Sequence, residues 1–269
     1  MKKNLCFCFL CCGLVFTSCT SDDDPIPYVQ PELPGHGIKP IKSIVHSGNV
    51  NNCYDWQFHY DGTRMVAADG SQYGTLTPFA YRSYLYYTTQ DVSVTNSNNM
   101  SMKLALNNEL NITLLNVNMD EYTFTYNNKK QLVKWEAVFK DANFGAEASR
   151  AKANITYANG NIAKIEYAKN NDNPTVYTFT SAMAKNVNGL LPETMSVALG
   201  CYGFEHLFYA GLLGAPTENL VKTIEVDYPE ESGLVDYTLN FTYATNSEGN
   251  TSLCTFKYND EAVSVNYEY

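Results

Sequence analysis

Four histidines, three cysteines beyond residue 19 and a scatter of carboxylates are the side chains from which this chain could build a reaction centre. His36, His46, His59 and His206 stand in unrelated contexts, with no HExxH, GxSxG, glycine-rich phosphate loop or calcium loop around them. Cys53, Cys201 and Cys254 lack the CxxC spacing of a zinc site; three thiols allow at most one internal disulfide, and their expected role is as small buried hydrophobes. Glu205-His206 is the lone adjacent acid and imidazole, and without a third group it reads as a chance dipeptide. Glu225 and Asp227, at i and i+2, share one strand face and are followed by Glu230 and Glu231 beside Pro229. Paired carboxylates serve glycoside hydrolysis when they flank a bond about 5 to 10 Å apart, but here they are expected on a solvated outer face. No catalytic residue, metal ligand or cofactor-binding residue is assigned, and no cofactor is expected.

One side chain has chemistry written into its context. Lys2 and Lys3 precede an apolar run from Leu5 to Phe16, which ends Leu14-Val15-Phe16-Thr17-Ser18-Cys19. The run is shorter than the roughly 20 residues that cross a bilayer, so residues 1–18 read as a signal peptide. Small residues before a cysteine resemble the lipobox of bacterial lipoproteins, in which the thiol is diacylated and the chain is cut just ahead of it. Cys19 is therefore the expected lipid attachment site, and two acyl chains anchor stably where one does not. Thr20-Ser21-Asp22-Asp23-Asp24 follows and resembles an export signal to the outer-membrane surface. Pro25, Pro27, Pro31, Pro34 and Pro40 then make residues 19–40 an extended, semi-rigid tether.

Loss of Lys2 and Lys3 with the leader leaves 16 basic against 28 acidic residues, a formal net charge of −12. Nucleic acid and anionic headgroups both demand a basic face, so neither is an expected partner; the membrane is reached through lipid on Cys19.

The elements that would carry these side chains are strands. From residue 41 the apolar period is two: Tyr122, Phe124 and Tyr126 alternate with Thr123 and Thr125, and Tyr237, Leu239, Phe241 and Tyr243 with Thr238, Asn240 and Thr242. Val263, Val265, Tyr267 and Tyr269 close the chain in the same way. Asp61-Gly62, Asn107-Asn108, Asn127-Asn128, Asn159-Gly160, Gly249-Asn250 and Asn259-Asp260 supply hairpin turns. The pattern predicts an all-β antiparallel meander over residues 41–269, curled or closed into a barrel-like sheet. Gly203 to Gly214 breaks the alternation, and the spacing of Phe204, Leu207, Phe208 and Leu212 predicts a short helix or compact loop over an open end. In Leu132 to Lys140, Leu132, Lys134, Glu136, Val138 and Lys140 fall on one face and Val133, Trp135, Ala137 and Phe139 on the other. Lys164 and Glu166 are likewise expected outward, where a lipid-facing wall would be apolar.

The strand and turn Trp56-x-Phe58-x-Tyr60-Asp61-Gly62, the hairpin Ile155 to Ile162, and Tyr209-Ala210-Gly211-Leu212-Leu213-Gly214 with Asn219-Leu220 come in that order. Together they resemble a Bacteroidetes lipoprotein family of unknown function with a porin-like fold, over residues 41–269. The resemblance implies a barrel-like architecture and brings no catalytic residues. The resulting reading is a non-enzymatic, lipid-anchored binding or assembly module at the outer-membrane surface, its partner a glycan or an outer-membrane protein. The alternatives are a glycan-hydrolysing lipoprotein and an integral β-barrel pore.

Overall fold

The computed structural model describes residues 40–50, 53–73, 80–88, 92–98, 101–141 and 145–269. Among them the alternating segments become seventeen strands. The first nine are β1 (Ser43–Ser47), β2 (Tyr54–Asp61), β3 (Arg64–Gln72), β4 (Ala80–Tyr87), β5 (Val92–Asn96), β6 (Ser101–Leu106), β7 (Ile112–Val117), β8 (Asp120–Tyr126) and β9 (Leu132–Lys140). Then come β10 (Glu147–Ala158), β11 (Asn161–Lys169), β12 (Thr175–Lys185), β13 (Asn219–Asp227), β14 (Tyr237–Asn240), β15 (Thr242–Thr245), β16 (Thr251–Tyr258) and β17 (Glu261–Glu268). The single described α-helix is α1 (Glu205–Tyr209).

From β2 to β13 each strand pairs antiparallel with the next, and β15 to β17 do the same. β14 and β15 form one stave interrupted at Phe241, whose amide still reaches Lys222 O at 2.9 Å. β1 lies between β17 and β2, with Ser43 opposite Glu268 and Ile44 opposite Trp56, so the meander returns on itself as a nearly closed barrel-shaped sheet. The expected all-β architecture is therefore present. Closure removes the free edges that an open sheet would expose to other chains.

Three hairpins share one design. Asn107, Asn127 and Asn246 each accept, through Oδ1, the amides two and four residues further on. The residue three positions on, Leu110, Lys130 or Gly249, takes a positive φ. The following strand then bulges: Tyr126 pairs with Leu132 and Thr125 with Lys134, leaving Val133 out of the ladder. A one-residue bulge reverses the facing of everything before it. Leu132, predicted to share the outward face of Lys134 and Glu136, is consequently buried with Trp135 and Ala137.

The predicted helical segment forms, but not as a cover. α1 belongs to a finger, Asn186 to Glu218, that fills the barrel. Asn186 opens it with the same asparagine turn, accepting the Leu190 amide at 2.8 Å. Trp135 Nε1 donates to Ala198 O at 2.8 Å, and Tyr81 donates to Gly203 O. The chain then returns: Ile112 N donates to Leu212 O, Ala215 N to Lys130 O, and Glu218 N to Gly160 O. The finger therefore enters and leaves at the rim that holds the asparagine turns, and it touches strands on every side of the barrel. Met195, Leu207, Ala210, Leu212 and Leu213 are buried within it and join the core of inward strand residues. Gly200 sits at φ 68° where an added Cβ would come within 2.5 Å of the Trp135 ring, so backbone and indole pack face to face. An amphipathic end cover and a buried finger give the same apolar spacing, which is why the sequence did not separate them.

Candidate functional site

The strongest concentration of reactive side chains lies inside the barrel, where β1, β2 and β17 meet the finger. In β1 the alternation places Ile44 and His46 inward. His46 Nδ1 donates to Asp55 Oδ1 at 2.9 Å and Nε2 to Glu193 Oε2 at 3.2 Å, while its amide also reaches Asp55 at 2.8 Å. Tyr267 of β17 donates to the other Glu193 oxygen. Burial works against charge on His46, but the hydrogen bonds to Asp55 and Glu193 outweigh it and lift the imidazole to about 9. At neutral pH it is an imidazolium between two carboxylates, with both ring nitrogens occupied. That makes it a clasp between wall and finger, with no free nitrogen for general base catalysis.

Glu205 and His206, read from the sequence as a chance dipeptide, are both buried deep in the barrel, and they do not pair with one another. Burial raises the Glu205 carboxyl to about 7, and its Oε2 meets no partner among the described residues. Burial lowers His206 to about 3, so it is a neutral ring tilted against Trp56 at 5.0 Å between centroids. A recess of about 40 Å³, bounded by His46, Cys53, Glu193, Thr194 and Glu205, adjoins this group. That is room for a water molecule. A second recess, of about 30 Å³, lies among Leu132, Ile162, Leu190, Leu199 and Phe208 and is apolar.

The remaining sequence candidates disperse. Cys53, Cys201 and Cys254 are free, buried thiols, each pushed upward in pKa by burial. His59 lies on the outer wall against Asp69 at 2.8 Å. Glu225 and Asp227 are exposed on β13, and Glu230 and Glu231 occupy the exposed turn after it. Among the described residues no group of three or more His, Cys, Asp or Glu side chains is arranged to hold a metal ion. Cys19, His36 and tether residues 19–39 lie outside the described residues. Sequence reasoning missed His46, Asp55 and Glu193 as a group; the one available signal was a histidine at an inward position of a period-two strand.

The outer wall is polar. Lys134 pairs with Glu136 at 3.1 Å and Lys164 with Glu166 at 2.7 Å, both pairs on the outside as expected. Thr180 and Thr223 hydrogen-bond across β12 and β13, and Ser47 and Ser264 across β1 and β17.

Residues 42–252 match the family described as "Domain of unknown function (DUF4595) with porin-like fold". The chain belongs to this family. A crystal structure of a porin-like protein from Bacteroides uniformis ATCC 8492 is similar at TM-score 0.63 and 18% identity, covering 86% of this chain and 98% of that one. At that identity the likeness establishes the fold alone. The Photorhabdus luminescens Tc holotoxin pore aligns at TM-score 0.30 and 12% identity, over 76% of this chain and 12% of that one. A TcdB2-TccC3 structure aligns at TM-score 0.30 and 13% identity, over 77% and 13%. Neither of these two alignments bears on function. No curated protein matches the sequence. In the DUF4595 barrel described here the outward faces are mostly polar and the inward faces apolar, the reverse of a lipid-embedded wall.

Proposed function

We propose that this DUF4595 protein is a non-enzymatic binding or assembly module of the cell envelope, tethered by lipid on Cys19 to the outer membrane and displayed at the cell surface. Residues 1–18 act as the signal peptide, residues 19–40 as the tether, and residues 41–269 as the displayed domain. The observation that carries this reading is the combination of a charged outer wall with a filled interior. A charge at the bilayer midplane costs about 2–4 kcal/mol, and this wall carries the Lys134–Glu136 and Lys164–Glu166 pairs. The finger occupies the space through which solutes would pass, so an integral pore fits poorly. A hydrolase fits poorly too: Glu225 and Asp227 stand on an open wall, and the buried carboxylates are engaged with His46 or enclosed.

The test is metabolic labelling with radioactive palmitate, followed by protease treatment of intact cells. The wild-type chain should take up label and be digested from outside. Cys19→Ala should do neither while remaining folded. Label retained by Cys19→Ala would overturn the anchor, and protection in intact cells would overturn surface display.

A further inference from the structure

The tyrosines sort into groups with different work. At the rim where the finger enters, Tyr60, Tyr126, Tyr243 and Tyr269 each donate to a backbone carbonyl on a neighbouring segment and so brace the wall. Tyr54, Tyr81 and Tyr267 are buried in the core. Tyr84 and Tyr86 do neither. They are the two exposed aromatic side chains among the described residues, 40% and 55% accessible, on the outward face of β4.

Alternate residues of a strand are about 6.5 Å apart, so the two rings form a ledge along the wall. The ledge has a floor of small residues: Tyr84 is flanked by Ala67 on β3 and Thr95 on β5, and Tyr86 by Ser93. One end of the ledge carries a polar cluster. Arg82, two residues before Tyr84, is bidentate to Asp69 through Nε and Nη2, and it hydrogen-bonds the Tyr84 side chain. Asp69 also bonds His59 on β2. Other exposed large apolar side chains on the strands, Val45 of β1 and Met183 of β12, stand singly, whereas Tyr84 and Tyr86 form a pair on a wall otherwise rich in Thr, Lys and Glu.

We propose that this ledge is a carbohydrate-binding surface for a neutral polysaccharide. Tyrosine offers an apolar face to the C–H side of a sugar ring and a hydroxyl to its edge. The Arg82–Asp69–His59 cluster supplies donors and acceptors together with its charges already paired, so a neutral, hydroxyl-rich ligand meets no unpaired charge. The chain's net charge of −10 disfavours an anionic polymer on the same wall. The inference rests on the binding-module reading above and names the ligand class and the face.

Affinity electrophoresis of the purified full-length protein through native gels tests it, using a soluble β-glucan, a xylan, a mannan and an α-glucan, with an anionic pectin as contrast. The wild-type chain should be retarded by at least one neutral polysaccharide. Tyr84→Ala/Tyr86→Ala should bind that polymer at least about tenfold more weakly, whereas Tyr84→Phe/Tyr86→Phe should retain most of the binding. Both rings lie outside the core, so the melting temperature of the alanine variant should stay near wild type. Retardation that survives the double alanine variant places the sugar elsewhere and overturns the ledge while leaving the binding module intact. Binding confined to pectin, or no retardation in any gel, overturns the carbohydrate inference itself. Palmitate labelling of Cys19 is independent of all three results.

Discussion

His46 and Glu193 are 147 residues apart in the chain and 3.2 Å apart in the barrel. One belongs to the first strand of the wall and the other to the finger, so this contact ties the beginning of the domain to what fills it. Because Asp55 holds the other ring nitrogen, the imidazolium compensates two carboxylates at once.

Removing the imidazolium should therefore cost more than a surface ion pair does. His46→Ala leaves Glu193 and Asp55 facing one another in a poorly solvated space, and a stability loss of about 3–5 kcal/mol is expected in urea unfolding. A midpoint within error of wild type would mean that the clasp holds nothing.

The same group shapes the pH profile. His46 is raised from 6.5 to about 9, so its contribution is complete below pH 6.5 and is lost as pH climbs through 9. The fold favours protonated Glu205, raised from 4.5 to about 7, and stability falls as pH rises across that interval. His206, lowered from 6.5 to about 3, acts in the opposite sense and costs stability as pH drops through that range. Between about 4.5 and 6.5 Glu205 and His206 offset each other. Stability should thus peak there, decline by a few kcal/mol (roughly 3 per fully shifted group) towards pH 9, and fall again below 4.5. Unfolding free energies measured from pH 3.5 to 9.5 check this. In His46→Gln the decline between pH 7 and 8, below the range where the buried thiols begin to count, should disappear, and its persistence would contradict the assignment.

The finger is held chiefly by burial. Leu207 is fully enclosed, and Leu207→Ala should destabilise by about 2–5 kcal/mol, through lost transfer energy and the cavity left behind. Gly200→Ala presses a methyl into the Trp135 ring at a positive φ, and a loss of about 1–3 kcal/mol is expected with altered tryptophan fluorescence. An unshifted melting curve in either variant would argue against a packed interior.

The three thiols should be silent. Cys53, Cys201 and Cys254 are buried and biased toward the unreactive protonated form, so a thiol reagent should label none in the native protein and all three in denaturant. Rapid native labelling would indicate that the barrel opens.

The strands and their turns were legible because period-two alternation and Asn or Gly at turns are local signals, as at Tyr122 to Tyr126 and Asn127. The outward Lys134, Glu136, Lys164 and Glu166 followed from the same alternation. Leu132 was misplaced because a single bulged residue, Val133, shifts the facing without leaving a mark in composition. The finger and the clasp were illegible for a different reason. Pairing Ser43 with Glu268, or His46 with Glu193, is decided by closure of the whole sheet, and an apolar helical spacing does not say whether it covers a barrel or fills one.

Asn186 N and Glu218 O are 2.9 Å apart, so the two ends of the finger meet in a hydrogen bond. Topologically the finger could be withdrawn like a drawer, with no strand unthreaded and no knot undone. A hollow tube would nonetheless not remain. The wall facing the void would be Ile112, Leu132, Trp135, Ile155, Ile162 and Ile224, a lining that repels water where a porin's lumen welcomes it. The staves and their contents therefore have to assemble as one object. Excision of residues 187–217 should produce a sticky shell prone to self-association, even though the cut ends already touch.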